Sequence, residues 1–151
     1  MRIAIGSDHA AFEHKQVVVK QLRKDGHDVI DMGTDSLDSV DYPDFAKNVA
    51  KTVATGEAER GILLCGTGLG MSMSANKVHG IRAASCHDEY TTIMSRSHND
   101  ANVLCLGARV LDAETVTSLV HLWLKTPFEG GRHQRRLDKI MQIEKDEDCE
   151  G

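Results

Sequence analysis

Short apolar runs alternate along this chain with longer stretches in which apolar residues recur every three or four positions, and that alternation predicts the fold. The runs at residues 2–6, 27–32, 60–65, 81–86 and 103–106 read as strands. Residues 12–24, 43–55, 69–77, 88–97 and 113–124 read as amphipathic helices, with a last helix near 134–145. Strands separated by helices form a parallel sheet, because each connection must cross back over one face. The expected fold is a Rossmann-like three-layer α/β/α sandwich with a five-stranded parallel sheet and a ligand crevice at the carboxyl ends of its strands. The segments that follow strands are Ser7-Asp8-His9, residues 33–42, residues 66–70 and Gly107-Ala108-Arg109; they concentrate polar residues and glycine and should open towards one edge. No repeat or linker interrupts the rhythm, so residues 1–151 read as one domain, with the acidic stretch 144–151 as a frayed tail.

Composition narrows the partners. A net charge of -5 and 4% aromatic residues supply neither a basic groove nor a row of stacking rings, which disfavours nucleic acid. The chain opens directly on a strand pattern, with no basic leader, cleavage site or membrane-length apolar run, so no membrane contact and a cytoplasmic location are expected. Cys65, Cys86, Cys105 and Cys149 contain no Cys-x-x-Cys pair and suit reduced thiols, the last three as packing or surface residues. The eight histidines contain neither His-x-x-x-His nor His-Glu-x-x-His spacing, so no metal is expected.

Three clusters carry candidate chemistry. Cys65 ends an apolar run and is followed by Gly66-Thr67-Gly68-Leu69-Gly70, a turn from strand to helix. Glycines there let backbone N–H groups converge on an oxyanion or phosphate at the helix start. The Gly-x-Gly-x-Gly spacing matches neither a dinucleotide fingerprint nor a P-loop, and Met71 stands where a Cys-x5-Arg phosphatase loop needs arginine. Such a turn serves close helix packing as readily as a ligand, and Cys65 is either a small buried hydrophobe or a thiolate favoured by the helix end.

The second cluster is Ser97-His98-Asn99-Asp100, where His98 is either a cation at a helix C-terminus or an acid-base group. The third, Gly130-Gly131-Arg132-His133-Gln134-Arg135-Arg136, places basic residues around a helix start, where the macrodipole favours anions. Arg132 and Arg136 are four apart, share a helical face and repel unless an anion lies between them. A phosphate held by two guanidinium forks fits better than a solvated surface paired with Glu129, Asp138 or Glu144, and Arg109 is placed to join. Asp8 and His9 after the first strand and Tyr42 within "DYPDF" complete the set, although Asp8 also suits a helix cap and Tyr42 ordinary packing. A carboxylate, an imidazole, a thiol, a glycine nest and an arginine pair point to an enzyme acting on a small phosphorylated polyol or sugar.

The stretches "IAIGSDHAAF", "DYPDFA", "ILLCGTGLGMSMSANKVHGIRAA", "SRSHNDANVLCLGARV" and "FEGGRHQRRLDKI" run in order over nearly the whole chain. With them the chain resembles the family of ribose-5-phosphate isomerase B and the galactose-6-phosphate isomerases. The resemblance implies an aldose-ketose isomerase of carbohydrate metabolism that needs no metal or other cofactor. It would interconvert D-ribose 5-phosphate and D-ribulose 5-phosphate, as in the pentose phosphate pathway, through a cis-enediolate. Cys65 corresponds to the base that moves a proton between carbon 2 and carbon 1, and His98 to the residue that opens the furanose ring by protonating the ring oxygen. Gly66, Thr67, Gly68, Leu69 and Gly70 correspond to the turn that holds the enediolate oxygen. Asp8, His9, Tyr42, Asn99, Arg109, Arg132 and Arg136 correspond to substrate-binding positions, the last two for phosphate.

One branch of that family replaces the cysteine with glycine and carries a glutamate at the position of Met71, so this chain is similar to the cysteine-dependent branch. The galactose-6-phosphate enzymes divide the work between two unlike chains, whereas Cys65, His98, Arg132 and Arg136 together suit a homomeric enzyme. The resemblance also implies a homodimer, in some members paired into a homotetramer, with sites at the subunit interface and the C-terminal helix and tail packed on a partner. Isomerisation of allose 6-phosphate or galactose 6-phosphate by the same residues, and sugar-phosphate binding without catalysis, are the alternatives.

Overall fold

The computed structural model describes residues 1–150 and alternates strand and helix as the apolar pattern predicts. In chain order the elements are β1 (Arg2–Ser7), α1 (Phe12–Lys24), β2 (Asp28–Asp31), α2 (Tyr42–Ala54), β3 (Arg60–Cys65) and α3 (Leu69–Ala75). They continue with β4 (Ala83–Ser85), α4 (Glu89–Ser97), β5 (Val103–Gly107), α5 (Ala113–Lys125) and α6 (Arg132–Glu150). A 3-10 turn, His9–Ala11, leads into α1. The five strands pair in parallel in the order β2-β1-β3-β5-β4.

Successive side chains of a strand face opposite ways, and here both directions are buried. Ile3, Ile5, Ile62, Leu64, Leu104 and Leu106 meet Val18 and Leu22 of α1 and Val116, Val120 and Trp123 of α5. Ala4, Leu63, Val103 and Cys105 face the other way, onto Val49 and Ala50 of α2 and Met71 and Ala75 of α3. A sheet covered on both faces needs apolar residues at nearly every position of its central strands, which explains why β3 and β5 read as continuous runs.

Two expectations change. The strand expected over 81–86 shortens to β4, three residues at the sheet edge with β5 as its neighbour, so Ile81 and Cys86 fall in its flanking turns. The last helix starts at Arg132 and continues to Glu150, so the tail expected to fray from residue 144 is helical throughout the described residues; Gly151 lies outside them. Side-chain contacts account for the extra turns. Glu144 accepts the Gly80 N–H at 3.2 Å, Asp148 lies 3.0 Å from His79, and Gln142 donates to Asp146 one turn on. Among the described residues no helix is long and apolar enough to cross a membrane.

Candidate active site

The chain leaves β1 towards β2 on one side and joins β3 on the other, so the carboxyl ends of β1 and β3 flank the point where the strand order reverses. Asp8 and Cys65 stand there, tied by the Asp8 N–H donating to the Leu64 carbonyl at 3.1 Å. Cys65 is buried, and the Gly68 N–H donates to its sulfur at 3.1 Å, the contact that a thiolate accepts. Gly68 has φ 84°, and a Cβ on it would lie 3.2 Å from the Leu106 backbone and from Ser85 Oγ. Glycine alone combines that left-handed conformation with so close an approach.

Other side chains close over the same turn. A Cβ on Gly66 would lie 3.4 Å from Arg109 Cδ and 3.5 Å from its Nη1, ordinary contact distances that put this side chain against the turn. The Ala108 and Arg109 N–H groups donate to the Cys65 and Gly66 carbonyls at 2.8 and 3.0 Å, which fixes Arg109 beside the turn. The Tyr42 ring lies over Gly70. Exposed Leu69 opens α3, its N–H donating to Thr67 Oγ1 at 3.3 Å. Asp8 is buried and its Oδ1 accepts the Ala10 N–H at 3.0 Å; the carboxylate does cap, but it caps the 3-10 turn and not α1, which begins without a side-chain cap. His9 Nδ1 accepts the Val40 N–H at 3.2 Å, so a neutral ring carries its proton on Nε2.

His98, Asn99, Arg132 and Arg136 are gathered elsewhere. The α4–β5 turn ends at Val103, which pairs with Gly61 at the start of β3. Cys65 is four residues further along that strand, about 13 Å at the usual strand rise. His98 therefore sits at the amino edge of the sheet, and the chain divides the candidate residues between two opposite edges. Asp100 holds the turn: it has φ 44°, and its carboxylate meets Arg96 at 2.7 Å and Arg82 at 3.3 Å. Arg82 also donates to the backbone carbonyls of Asp100 and of exposed Asn99.

The basic segment joins this second group. The Glu129 N–H donates to the Ser97 carbonyl at 3.0 Å, and His133 stacks on His98 with centroids 4.0 Å apart and planes 17° from parallel. Arg132 and Arg136 are exposed one turn apart on α6, and among the described residues neither has a carboxylate within salt-bridge distance. The expected partners are committed elsewhere: Glu129 faces the two histidines, Asp138 accepts from Gln134, and Glu144 accepts from Gly80. Beyond this point α6 buries Leu137 but leaves Ile140 and Ile143 47% and 62% exposed.

Sequence reasoning counted His133 only among basic residues and Glu129 only as an arginine partner; the stack that joins them to His98 has no signature in spacing. Burial lowers the proton affinity of His133, helped by the charges of His98, Arg132 and Arg136 and opposed by Glu129. Potential ligand atoms of His98, Glu129 and His133 all lie within 4.8 Å of one another. An imidazole binds metal in its ring plane at about 2.0–2.1 Å, and two rings lying face to face do not aim their lone pairs at one point. The trio suits proton handling better than metal binding. Of the other cysteines, Cys86 and Cys105 are buried and Cys149 is exposed. Burial pushes the Cys105 thiol far up, and Cys86 rises for the same reason.

Comparison with known proteins bears on what this geometry is for. The ribose-5-phosphate isomerase B of Escherichia coli (strain K12) is 48% identical over 143 residues, spanning 95% of this chain and 96% of its own length. The structure of a Clostridium thermocellum ribose-5-phosphate isomerase B superposes with a TM-score of 0.95 at 53% identity, covering 97% of this chain and 99% of that one. A Mycoplasma genitalium ribose-5-phosphate isomerase B, solved with bound ribulose-5-phosphate, superposes with a TM-score of 0.92 at 44% identity over 95% of this chain and 96% of its own. The family model described as ribose/galactose isomerase matches residues 3–140, nearly the whole of the sheet and its helices, and on that agreement the chain belongs to the ribose/galactose isomerase family.

Proposed function

We propose that this chain is a ribose-5-phosphate isomerase whose active sites are each shared by two copies. One copy supplies Cys65, the 66–70 turn, Asp8, His9, Tyr42 and Arg109, and the other supplies His98, Asn99, Arg132 and Arg136. The observation that carries this reading is the split itself: the base and the ring-opening acid stand at opposite edges of one sheet, so a site that uses both must draw them from different chains. The exposed apolar positions Ile140 and Ile143 of α6 provide surface for such a partner, which makes a homodimer the working assembly. The activities carried by the Escherichia coli and Clostridium thermocellum relatives support the pentose phosphate as substrate.

The chemistry follows from the positions. Arg132 and Arg136, free of carboxylates, take the phosphate between two guanidinium groups. His98 gives a proton to the ring oxygen as its bond to carbon 1 breaks, and the anomeric hydroxyl loses its proton to water. Cys65 then takes the proton from carbon 2. Charge moves to the oxygen on carbon 1, where N–H groups of the glycine turn are placed to face it. A proton passes between the two oxygens, and the thiol returns its own to carbon 1.

Mixing two inactive variants tests the shared site. Cys65→Ala and His98→Asn should each be silent as pure proteins. Refolded together they should regain about a quarter of wild-type turnover, since half of randomly formed pairs are hybrids and each hybrid keeps one intact site. Activity that never returns would place the whole site in a single chain. Allose 6-phosphate run beside ribose 5-phosphate reads the substrate; a higher kcat/KM on the hexose would replace the pentose assignment.

A further inference from the structure

We infer that Glu129 and His133 are positioning residues for ring opening: His133 holds the His98 imidazole by its face and Glu129 sets a carboxylate towards its Nε2, leaving Nδ1 to give a proton to the sugar. The inference rests on the reading of His98 as the ring-opening acid. A single oxygen of Glu129, Oε2, lies 3.8 Å from His98 Nε2 and 3.4 Å from His133 Nε2, so one carboxylate faces the same nitrogen of both rings. The face-to-face contact at 4.0 Å restrains rotation of the His98 ring, which is half-buried just past the C-terminal end of α4. The backbone is shaped to deliver both residues. Glu129 is anchored on the Ser97 carbonyl, Gly130 and Gly131 follow with φ 67° and 57°, and His133 N–H closes on the Gly130 carbonyl at 3.1 Å. That double left-handed turn, which glycine alone adopts readily, folds α6 back so that its second residue lands on His98.

The electrostatics divide the labour. Two stacked imidazoles do not readily carry charge together, and burial beside Arg132, Arg136 and His98 disfavours the proton on His133. The proton is therefore disfavoured on His133, and Glu129, with its side chain 57% exposed, links the pair to water. The other charges near the turn, Arg82 and Arg96, are engaged by Asp100. In the ring-opening step the electron pair of the carbon 1 bond goes to the ring oxygen, which takes the His98 proton. The anomeric hydroxyl releases a proton to water, and water returns one to His98 past Glu129, so none is consumed.

Ribulose 5-phosphate offers a control, because its 5-hydroxyl is esterified and it cannot close a furanose ring. Exchange of its carbon 1 proton with deuterium oxide needs the Cys65 step and not ring opening. The experiment measures that exchange, and conversion of ribose 5-phosphate, for wild type, His98→Asn, Glu129→Gln and His133→Asn. The expected result is loss of conversion in His98→Asn and a reduction of roughly tenfold or more in Glu129→Gln and His133→Asn, with exchange close to wild type in all three. Equal loss of both reactions in Glu129→Gln and His133→Asn would mean that these residues support folding or assembly and not the acid. Wild-type conversion in both, with His98→Asn still impaired, would remove them from the mechanism and leave His98 in place. Full conversion by His98→Asn would overturn the ring-opening reading and this inference with it. Glu129→Gln alters an exposed side chain, so its result stands even if His133→Asn fails to fold.

Discussion

A Cβ on Gly70 would stand 2.5 Å from Cζ of Tyr42 and 2.9 Å from its hydroxyl, closer than any real pair of atoms tolerates. The obstruction is the far end of a side chain that is 40% exposed, so it can swing away, unlike the backbone atoms that crowd Gly68 and Gly107. Gly70→Ala should accordingly leave the melting temperature nearly unchanged while moving the phenol off the glycine turn. The expected cost is a rise in KM of roughly tenfold, equivalent to about 1.4 kcal/mol of binding, with kcat less affected. Steady-state kinetics beside a thermal melt checks both halves; a large drop in melting temperature with normal KM would show that the glycine serves packing. Proximity to Cys65 was legible from the string Cys-Gly-Thr-Gly-Leu-Gly, but the residues lying over each glycine came from α2 and from the end of β5, far away in sequence.

The helices that flank the second half-site are fastened at their starts by carboxylates. Asp88 Oδ1 accepts the Thr91 N–H at 2.7 Å and its hydroxyl at 2.8 Å, and Asp112 Oδ1 accepts the Thr115 N–H at 2.7 Å. Hydrogen bonding to the ionised form holds both carboxyls below the ordinary aspartate range, the backbone bonds contributing most. A carboxyl whose folded pKa is depressed stabilises the protein above its unfolded value, about 3.9, and that stability is lost as pH falls through the lower folded value. Asp88→Ala combined with Asp112→Ala should lower the melting temperature at neutral pH and flatten its acid limb below about pH 3.9. An unchanged acid limb in the double variant would assign acid unfolding to other groups. The apolar pattern starts the fourth helix at Asp88, which the structure makes its cap, and it over-extends the edge strand β4, because an apolar string does not reveal how many of its residues find a pairing partner.

Helix α6 carries the apolar surface on which the proposed dimer depends. It meets its own protomer through His133 on His98, Met141 beside Arg82, Glu144 on Gly80 and Asp148 on His79, while Ile140 and Ile143 stay exposed. In the proposed dimer the uncovered apolar positions of this 19-residue helix are the surface that a second copy would bury. Removing residues 138–151 keeps both arginines and takes away that face. The truncated protein should sediment as a monomer, or dissociate at far higher concentration than the full chain, and its specific activity should fall on dilution. A truncated dimer with undiminished activity would locate the interface elsewhere.

Which residues pair into strands and helices followed from local periodicity, because burial on both faces of a parallel sheet leaves continuous apolar runs at the centre and amphipathic stripes on the helices. The nature of the chemistry was equally legible: a thiol at a strand end beside a glycine turn, and two arginines one turn apart at a helix start, are local patterns. Location was not. Whether a residue lies before or after a strand reads as a small step in sequence, yet in a parallel sheet it decides between opposite edges, and that separates His98 from Cys65. The stack of His133 on His98 depends on where the six-residue connection 126–131, with its two left-handed glycines, returns the chain, a long-range contact that no local pattern encodes. Periodicity thus specifies elements and their chemistry, while the packing of distant segments specifies which groups can meet.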